Sequence, residues 1–224
     1  VNLSIVIPAL NEASLIGDTL QALAPLRARG CEVIVVDGGS WDATVAIAQA
    51  GADRVLVAPR GRASQMNAGA AAARGEVLLF LHADTQLAAD ADRQIETGMA
   101  RTGRRWGRFD VRLSGTHPLL RLVERMMNLR SRLSGIATGD QAMFVERRLF
   151  FEAGAFPNQP LMEDVELSKR LKRHGRPLCL AVPVITSSRR WEEGGIVRTI
   201  VLMWALRAAY ALGVPAERLA RRYR

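Results

Sequence analysis

Cysteine is scarce: Cys31 and Cys179 are the only two in 224 residues. Two thiols so far apart give neither a disulfide framework nor a metal-binding spacing. Lysine is scarcer than its share, being present only at Lys169 and Lys172, so a net charge of +9 rests almost wholly on arginine. Aromatic residues make up 5% of the chain, and a nucleic-acid binder wants basic residues interleaved with exposed aromatics on one face. No internal repeat, low-complexity tract or Ser/Gly/Pro-rich linker divides the chain. No apolar leader precedes the first apolar run, which with the cysteine usage leads to an expectation of the cytosol. What is present is ordinary for one globular domain of sizeable core: 49% hydrophobic and 24% charged residues.

The first ninety residues alternate short apolar runs with helical patterns. Leu3 to Ile7, Glu32 to Asp37, Arg54 to Ala58 and Val77 to Leu81 read as strands. Between them lie helices opened by Asn11-Glu12, by Ser40 or Asp42 ahead of Ala43 to Ala50, and by Arg62 on to Arg74. Strands alternating with helices at this density predict an α/β fold, a mostly parallel sheet with helices on both faces. The second half is less regular. It gives helices at 90–100, 118–133, 147–153 and 163–174, a strand at 106–113, a short strand at 141–145, and an extended run at 177–185.

The acids fall at strand tips. Asp37 ends one strand. His82 and Asp84 follow the run VLLFL. Residues two apart in a strand share a face, so extended geometry reaching the tip aims His82 and Asp84 at one object, such as a divalent cation. The carboxyl edge of an open α/β sheet is also where ligands bind. The bland alternative makes Asp37 and Asp84 helix caps and His82 a packing residue. Glu163, Asp164 and Glu166 open a helix, where the dipole alone favours each carboxylate by about 0.3–1 kcal/mol.

Five stretches in order carry a resemblance: SIVIPALNEA, VVDGGSWDAT, RGRASQMNAGAAAARGEVLLFLHADT, GDQAMFVERRLFFEAGAFP and MEDVELSKRL. Together they resemble the successive motifs of family 2 glycosyltransferases with the GT-A fold. The RGRASQMNAGA segment and the His-Ala-Asp look like the bacterial branch associated with arsenosugar biosynthesis. The resemblance implies a Rossmann-like GT-A domain over residues 1–195, with a nucleotide-binding half at 1–90 and an acceptor half at 91–195. A C-terminal helix and basic tail occupy 196–224.

It also implies roles. Pro8, Ala9 and Glu12 lie beside the nucleoside, and Asp37 accepts from the base. Arg60, Arg62 and Asn67 fall near the uridine and phosphates. Asp84, with or without His82, holds Mn²⁺ or Mg²⁺ on the diphosphate. The family usually has an acid where this chain has His82. Asp164 is the general base, with Glu163 the second choice. Asp140 and Gln141 line the acceptor side, where Asp140 is equally suited to a plain turn. Ser188-Arg189-Arg190-Trp191 resembles the (Q/R)xxRW element of processive members but departs at its first position, which is Ser187. Arg190 then neutralises diphosphate and Trp191 stacks on the acceptor. The implied activity is inverting, metal-dependent transfer of a sugar from a nucleotide-diphosphate donor, UDP by family tendency, to a hydroxyl acceptor.

Two other classes compete. A sugar-1-phosphate nucleotidyltransferase wants a Gly-rich basic loop after the first strand, and Pro8 to Glu12 has neither glycine nor a base. A non-catalytic basic binder of membrane or nucleic acid leaves the acids unexplained. The last helix, Ile196 to Leu212, carries Arg198 and Arg207 and falls short of the roughly 20 apolar residues a membrane span needs. Packing on the domain, a homodimer contact, and peripheral attachment at the inner face of a membrane through Arg218, Arg221, Arg222 and Arg224 stay open.

Overall fold

The computed structural model describes residues 2–223, so Arg224 of the basic tail lies outside the described residues. An eight-stranded mixed sheet organises the chain, in the order β3-β2-β1-β4-β7-β6-β8-β5. β1 (Leu3–Ala9), β2 (Glu32–Asp37), β3 (Arg54–Val57) and β4 (Val77–Phe80) pair in parallel, as the alternation predicts. The strictly parallel pattern ends there. β7 (Phe144–Glu146) runs antiparallel between β4 and β6 (Trp106–Leu113), β6 pairs in parallel with β8 (Leu178–Thr186), and β5 (Thr85–Gln86) is an antiparallel edge piece on β8.

The strands of the first half are apolar on both faces because both are covered. Leu3, Ile5 and Ile7 of β1 face a core shared with α1 (Ile16–Ala22), α3 (Thr44–Gly51) and α5 (Ala91–Thr102). Val6, Ile34, Val36, Leu78 and Phe80 face the other way, onto α4 (Arg62–Ala72), α7 (Arg147–Glu152) and α8 (Glu163–Leu171). α4 lies tight on the sheet: a Cβ at Gly69 would stand 2.3 Å from Val6 Cγ1.

Three local expectations shift. The first helix does not open at Asn11-Glu12. Asn11 takes a left-handed φ of 56°, and its amide and that of Glu12 donate to Ser40 Oγ and Thr44 Oγ1, both at 2.8 Å. Those bonds tie the β1–α1 loop to the β2–α3 loop and to the first residue of α3, and a short α2 (Ala24–Arg27) completes the connection from α1 to β2. β4 stops at Phe80, so His82 and Asp84 lie in a turn closed by Thr85 N–H to His82 O at 3.1 Å. Gln141 is not in a strand but ends a 3-10 turn, Gly139–Gln141.

The C-terminal part packs on the domain. α10 (Ile196–Ala211) and α11 (Ala216–Tyr223) follow the short α9 (Arg189–Glu193). Leu206 and Leu219 join Leu161, Met162 and Val165 in one apolar cluster. α6 (Pro118–Ser134) lies beside α10. Among the described residues no helix is long and apolar enough to cross a membrane.

Candidate active site

A cavity of about 440 Å³ opens at the carboxyl ends of β1 and β4. The end of β1 and the loop after it supply Pro8, Ala9, Leu10 and Glu12. The turn before α4 supplies Arg60, Gly61 and Arg62. Gly61 has a φ of +140°, a backbone that L side chains rarely adopt, which suits glycine between the two arginines. Arg189 and Arg190 come from the far side. Four guanidinium groups therefore line one cavity with the carboxylates of Glu12, Asp84 and Asp140.

His82 and Asp84 both line this cavity, though from a turn rather than from the extended strand tip that the sequence pattern predicts. His82 Nδ1 lies 3.5 Å from Asp140 Oδ1. On its other side, a Cβ at Gly139 would stand 2.5 Å from His82 Nε2, so both ring nitrogens face protein at close range. Burial pulls the His82 pKa down, and the hydrogen bond and charge of Asp140 more than offset it, so the imidazole titrates above its ordinary value. Dehydration within the cavity opposes the Asp140 charge, and His82 overcomes it, holding that carboxyl below its ordinary value.

Among the described residues no three His, Cys, Asp or Glu side chains form a ready-made metal cage. Glu12 and Asp84 nevertheless repel each other: the Glu12 pKa is raised by burial first and by the Asp84 charge next. Two carboxylates in such tension beside open volume fit the oxygen-donor preference of a hard divalent cation.

Glu163 and Asp164, in the first turn of α8, lie outside the cavity lining, and Asp164 is tied to it through Gly139, the neighbour of Asp140. The Gly139 N–H donates to Asp164 Oδ2 at 2.8 Å, and Val165 N–H donates to Asp164 Oδ1 at 2.7 Å. The carboxylate is thus oriented by two backbone donors. Glu163 is 4% exposed, and its Oε1 lies 3.2 Å from Arg62 Nε. Burial first, and then the Asp164 charge, raise its pKa against the pull of Arg62.

Other expected site residues have structural tasks. Asp37 is buried outside the cavity lining and accepts from the amides of Gly39 and Ser40 at 2.8 and 2.9 Å. Asn67 exchanges hydrogen bonds with the Phe156 backbone, at 2.8 and 3.1 Å. That pins the Pro-rich loop ahead of α8. Gln141 is fully buried, and its Oε1 accepts from Thr138 N–H at 3.3 Å. Trp191 packs with Leu113, Leu120 and Val123 while also lining the cavity.

Sequence reasoning missed two contributors. Gln65 Nε2 donates to Ala9 O and Val36 O, both at 2.8 Å, and so locks the ends of β1 and β2 beneath the cavity. A lone glutamine inside the QMN run gave only a weak signal. Tyr223 reaches the cavity from the end of the chain. Its ring lies under the Arg190 guanidinium at 3.6 Å, and its carbonyl accepts from Arg190 Nη2 at 2.9 Å.

The model described as glycosyl transferase family 2 matches residues 4–151. A PGL/p-HBAD biosynthesis glycosyltransferase of Mycobacterium tuberculosis is 37% identical over 91 residues, 38% of this chain and 36% of that protein. The match therefore spans about a third of that relative's length. Among solved structures, TarS of S. aureus superposes with a TM-score of 0.70 at 18% identity, over 84% of this chain and 61% of TarS. Glucosyl-3-phosphoglycerate synthase of M. tuberculosis, solved with Mn²⁺, UDP and glucosyl-3-phosphoglycerate, superposes at 0.64 with 21% identity, over 96% and 81%. Both likenesses concern the fold. Neither they nor the sequence relative bear on the arsenosugar branch.

Proposed function

The chain belongs to glycosyl transferase family 2, and from that premise we propose that it is a glycosyltransferase that moves a sugar from a UDP-sugar to a hydroxyl acceptor with inversion. The observation that carries this reading is the joining of an arginine-rich polar cavity to the oriented carboxylate of Asp164 through one short turn, Gly139–Gln141. The uridine assignment is supported by TarS, also solved with UDP-GlcNAc, and by the UDP held in the synthase.

In this reading Pro8, Ala9 and Glu12 flank the nucleoside, and Arg60 and Arg62 meet the diphosphate, where guanidinium forks match phosphate oxygens. Arg189 and Arg190 add charge from the opposite wall. Asp84 is the protein's anchor for Mn²⁺ or Mg²⁺, and the bound ion would supply Lewis-acid neutralisation of the leaving diphosphate. His82 serves by holding Asp140 toward the sugar.

The acceptor oxygen attacks the anomeric carbon from the face opposite the diphosphate. The carbon–oxygen bond to the diphosphate breaks, and its electron pair leaves with UDP. The proton of the acceptor hydroxyl passes to Asp164. Gly139 and Val165 each take one lone pair of its oxygens, which fixes the carboxylate plane and leaves further lone pairs for that proton.

Calorimetry with UDP and GDP, with and without Mn²⁺, tests the reading. Metal-dependent binding of UDP, weakened by about tenfold or more in Asp84→Ala, is the expected outcome. Absence of any metal-dependent nucleotide binding, or an Asp84→Ala variant that binds as the parent does, overturns it. A donor screen reading sugar-nucleotide hydrolysis then identifies the sugar.

A further inference from the structure

A second cavity, of about 820 Å³, runs between α6 and α10. Its walls are mainly apolar, with Leu129 and Leu133 on one side and Trp204 on the other. These three side chains are 57%, 69% and 61% exposed, an extent of open apolar surface that calls for a ligand or partner. Asp140, Trp191 and Met203 line both this groove and the polar cavity. The groove therefore leads directly to the reacting end of the site.

Two cations interrupt the apolar walls. Arg130 on α6 and Arg207 on α10 line the same groove. Arg130 Nη1 is buried without a hydrogen-bond partner, and among the described residues neither guanidinium has an ion pair within 4 Å. Burial, and then repulsion from Arg207, push the Arg130 pKa down to about 10. Burial lowers that of Arg207 as well. Asp164 attracts both from beyond ion-pair distance. Two like charges drawn partly out of water with no ion pair within 4 Å among the described residues, with Asp164 acting on both and Asp140 on Arg130 only from farther off, are costly to hold. They form half of a charge-complementary site.

We propose that this groove is the acceptor subsite, and that it takes one amphiphile with an apolar chain along Leu129, Leu133 and Trp204 and an anionic phosphate or carboxylate head between Arg130 and Arg207. The proposal rests on the glycosyltransferase reading for the word acceptor, since a hydroxyl near that head comes within the neighbourhood of Asp164. The volume suits a single molecule. A flat bilayer surface is a poorer occupant. It would meet exposed side chains outside the groove lining, such as Leu122, Val197 and Val201, which are 51%, 62% and 62% exposed, and leave Arg130 Nη1 inside the groove without a partner.

Dodecyl phosphate below its micellar concentration is the probe, with 1-dodecylglycerol and inorganic phosphate as the neutral and tail-less controls. Binding is read by calorimetry and by tryptophan fluorescence, without nucleotide. Dodecyl phosphate is expected to bind at least about tenfold more tightly than either control. The double variant Arg130→Gln/Arg207→Gln is expected to lose about tenfold or more for dodecyl phosphate while holding 1-dodecylglycerol as before. Trp204→Ala should weaken both amphiphiles. UDP affinity close to the parent's in each variant shows that the polar cavity is folded.

Equal binding of the charged and neutral amphiphiles, or a double variant that binds dodecyl phosphate as the parent does, overturns the proposal. So does attachment to anionic vesicles with no binding of the monomeric probe, or a self-association that shuts the probe out. Failure of UDP binding with normal amphiphile binding would instead strike the donor reading and leave the groove as an anionic-amphiphile site.

Discussion

Arg62 Nε lies 3.2 Å from Glu163 Oε1, while the second oxygen of the same carboxylate is buried with no hydrogen-bond partner. Removing one member of a fully buried ion pair costs about 3–5 kcal/mol. The Arg62 side chain is 42% exposed, so solvent screens part of the pair, and Arg62→Ala is expected to cost about 1–2 kcal/mol. Glu163→Gln should cost less, because it leaves no buried net charge. Urea denaturation midpoints of the two variants check the order, and a smaller loss in Arg62→Ala than in Glu163→Gln would refute it.

The same carboxylate sets a pH dependence. Burial and Asp164 raise the Glu163 pKa from 4.5 despite Arg62. The folded protein therefore holds that proton more tightly than the unfolded chain does. The resulting stability is complete below the unfolded pKa and is lost as pH rises through the folded one. Glu163→Gln has nothing to titrate, so its stability relative to the parent should improve between about pH 4 and about pH 7. Denaturation curves at both pH values measure the difference, and a relative decline of the variant would contradict the assignment.

Asp164→Asn tests the base. Loss of a general base typically slows a reaction by about 10²–10⁴-fold, and kcat should fall in that range while UDP affinity stays near the parent's. The amide retains one acceptor oxygen for the two N–H donors from Gly139 and Val165, so a stability loss of about 1 kcal/mol accompanies the change. Transfer at the parental rate would remove Asp164 from the mechanism.

Gly139→Ala tests the turn that joins the two halves of the site. Its Cβ would stand 2.5 Å from His82 Nε2 and 2.7 Å from Cε1, so the imidazole must leave its present position against Asp140. A displacement of about 1 Å near the chemistry can cost about 10²-fold in rate. The expected result is a fall in kcat of that order with a stability loss of about 1–3 kcal/mol. Steady-state kinetics beside thermal unfolding check this, and an unchanged kcat would show that the His82–Asp140 contact does not bear on transfer.

Much of the fold was legible in the chain because it is local. Apolar runs such as Val33 to Val36 and Val77 to Leu81 are buried on both faces whatever follows them, and their alternation with helices dictated the parallel half. Asp84 was legible as an acid at the end of an apolar run, whereas Pro8, Glu12, Arg60 and Arg62 were singled out only by the family resemblance. Pro8, Glu12, Arg60, Arg62 and Asp84 all reached the cavity.

What the tertiary structure decided is which side chains face that cavity and which hold it up. Asp37, Asn67 and Gln141 look like site residues in one dimension, yet each is drawn to backbone groups by the need to satisfy buried donors and acceptors. His82 meets Asp140, a partner 58 positions away, from a turn that begins because β4 ends at Phe80. Arg130, Arg207 and Tyr223 lie far from the strand tips in sequence and reach the site only through packing of α6, α10 and α11. Periodicity along the chain fixes what is buried, because burial follows local pattern. Pairings of polar groups over long separations depend on how the elements pack, and no local pattern encodes them.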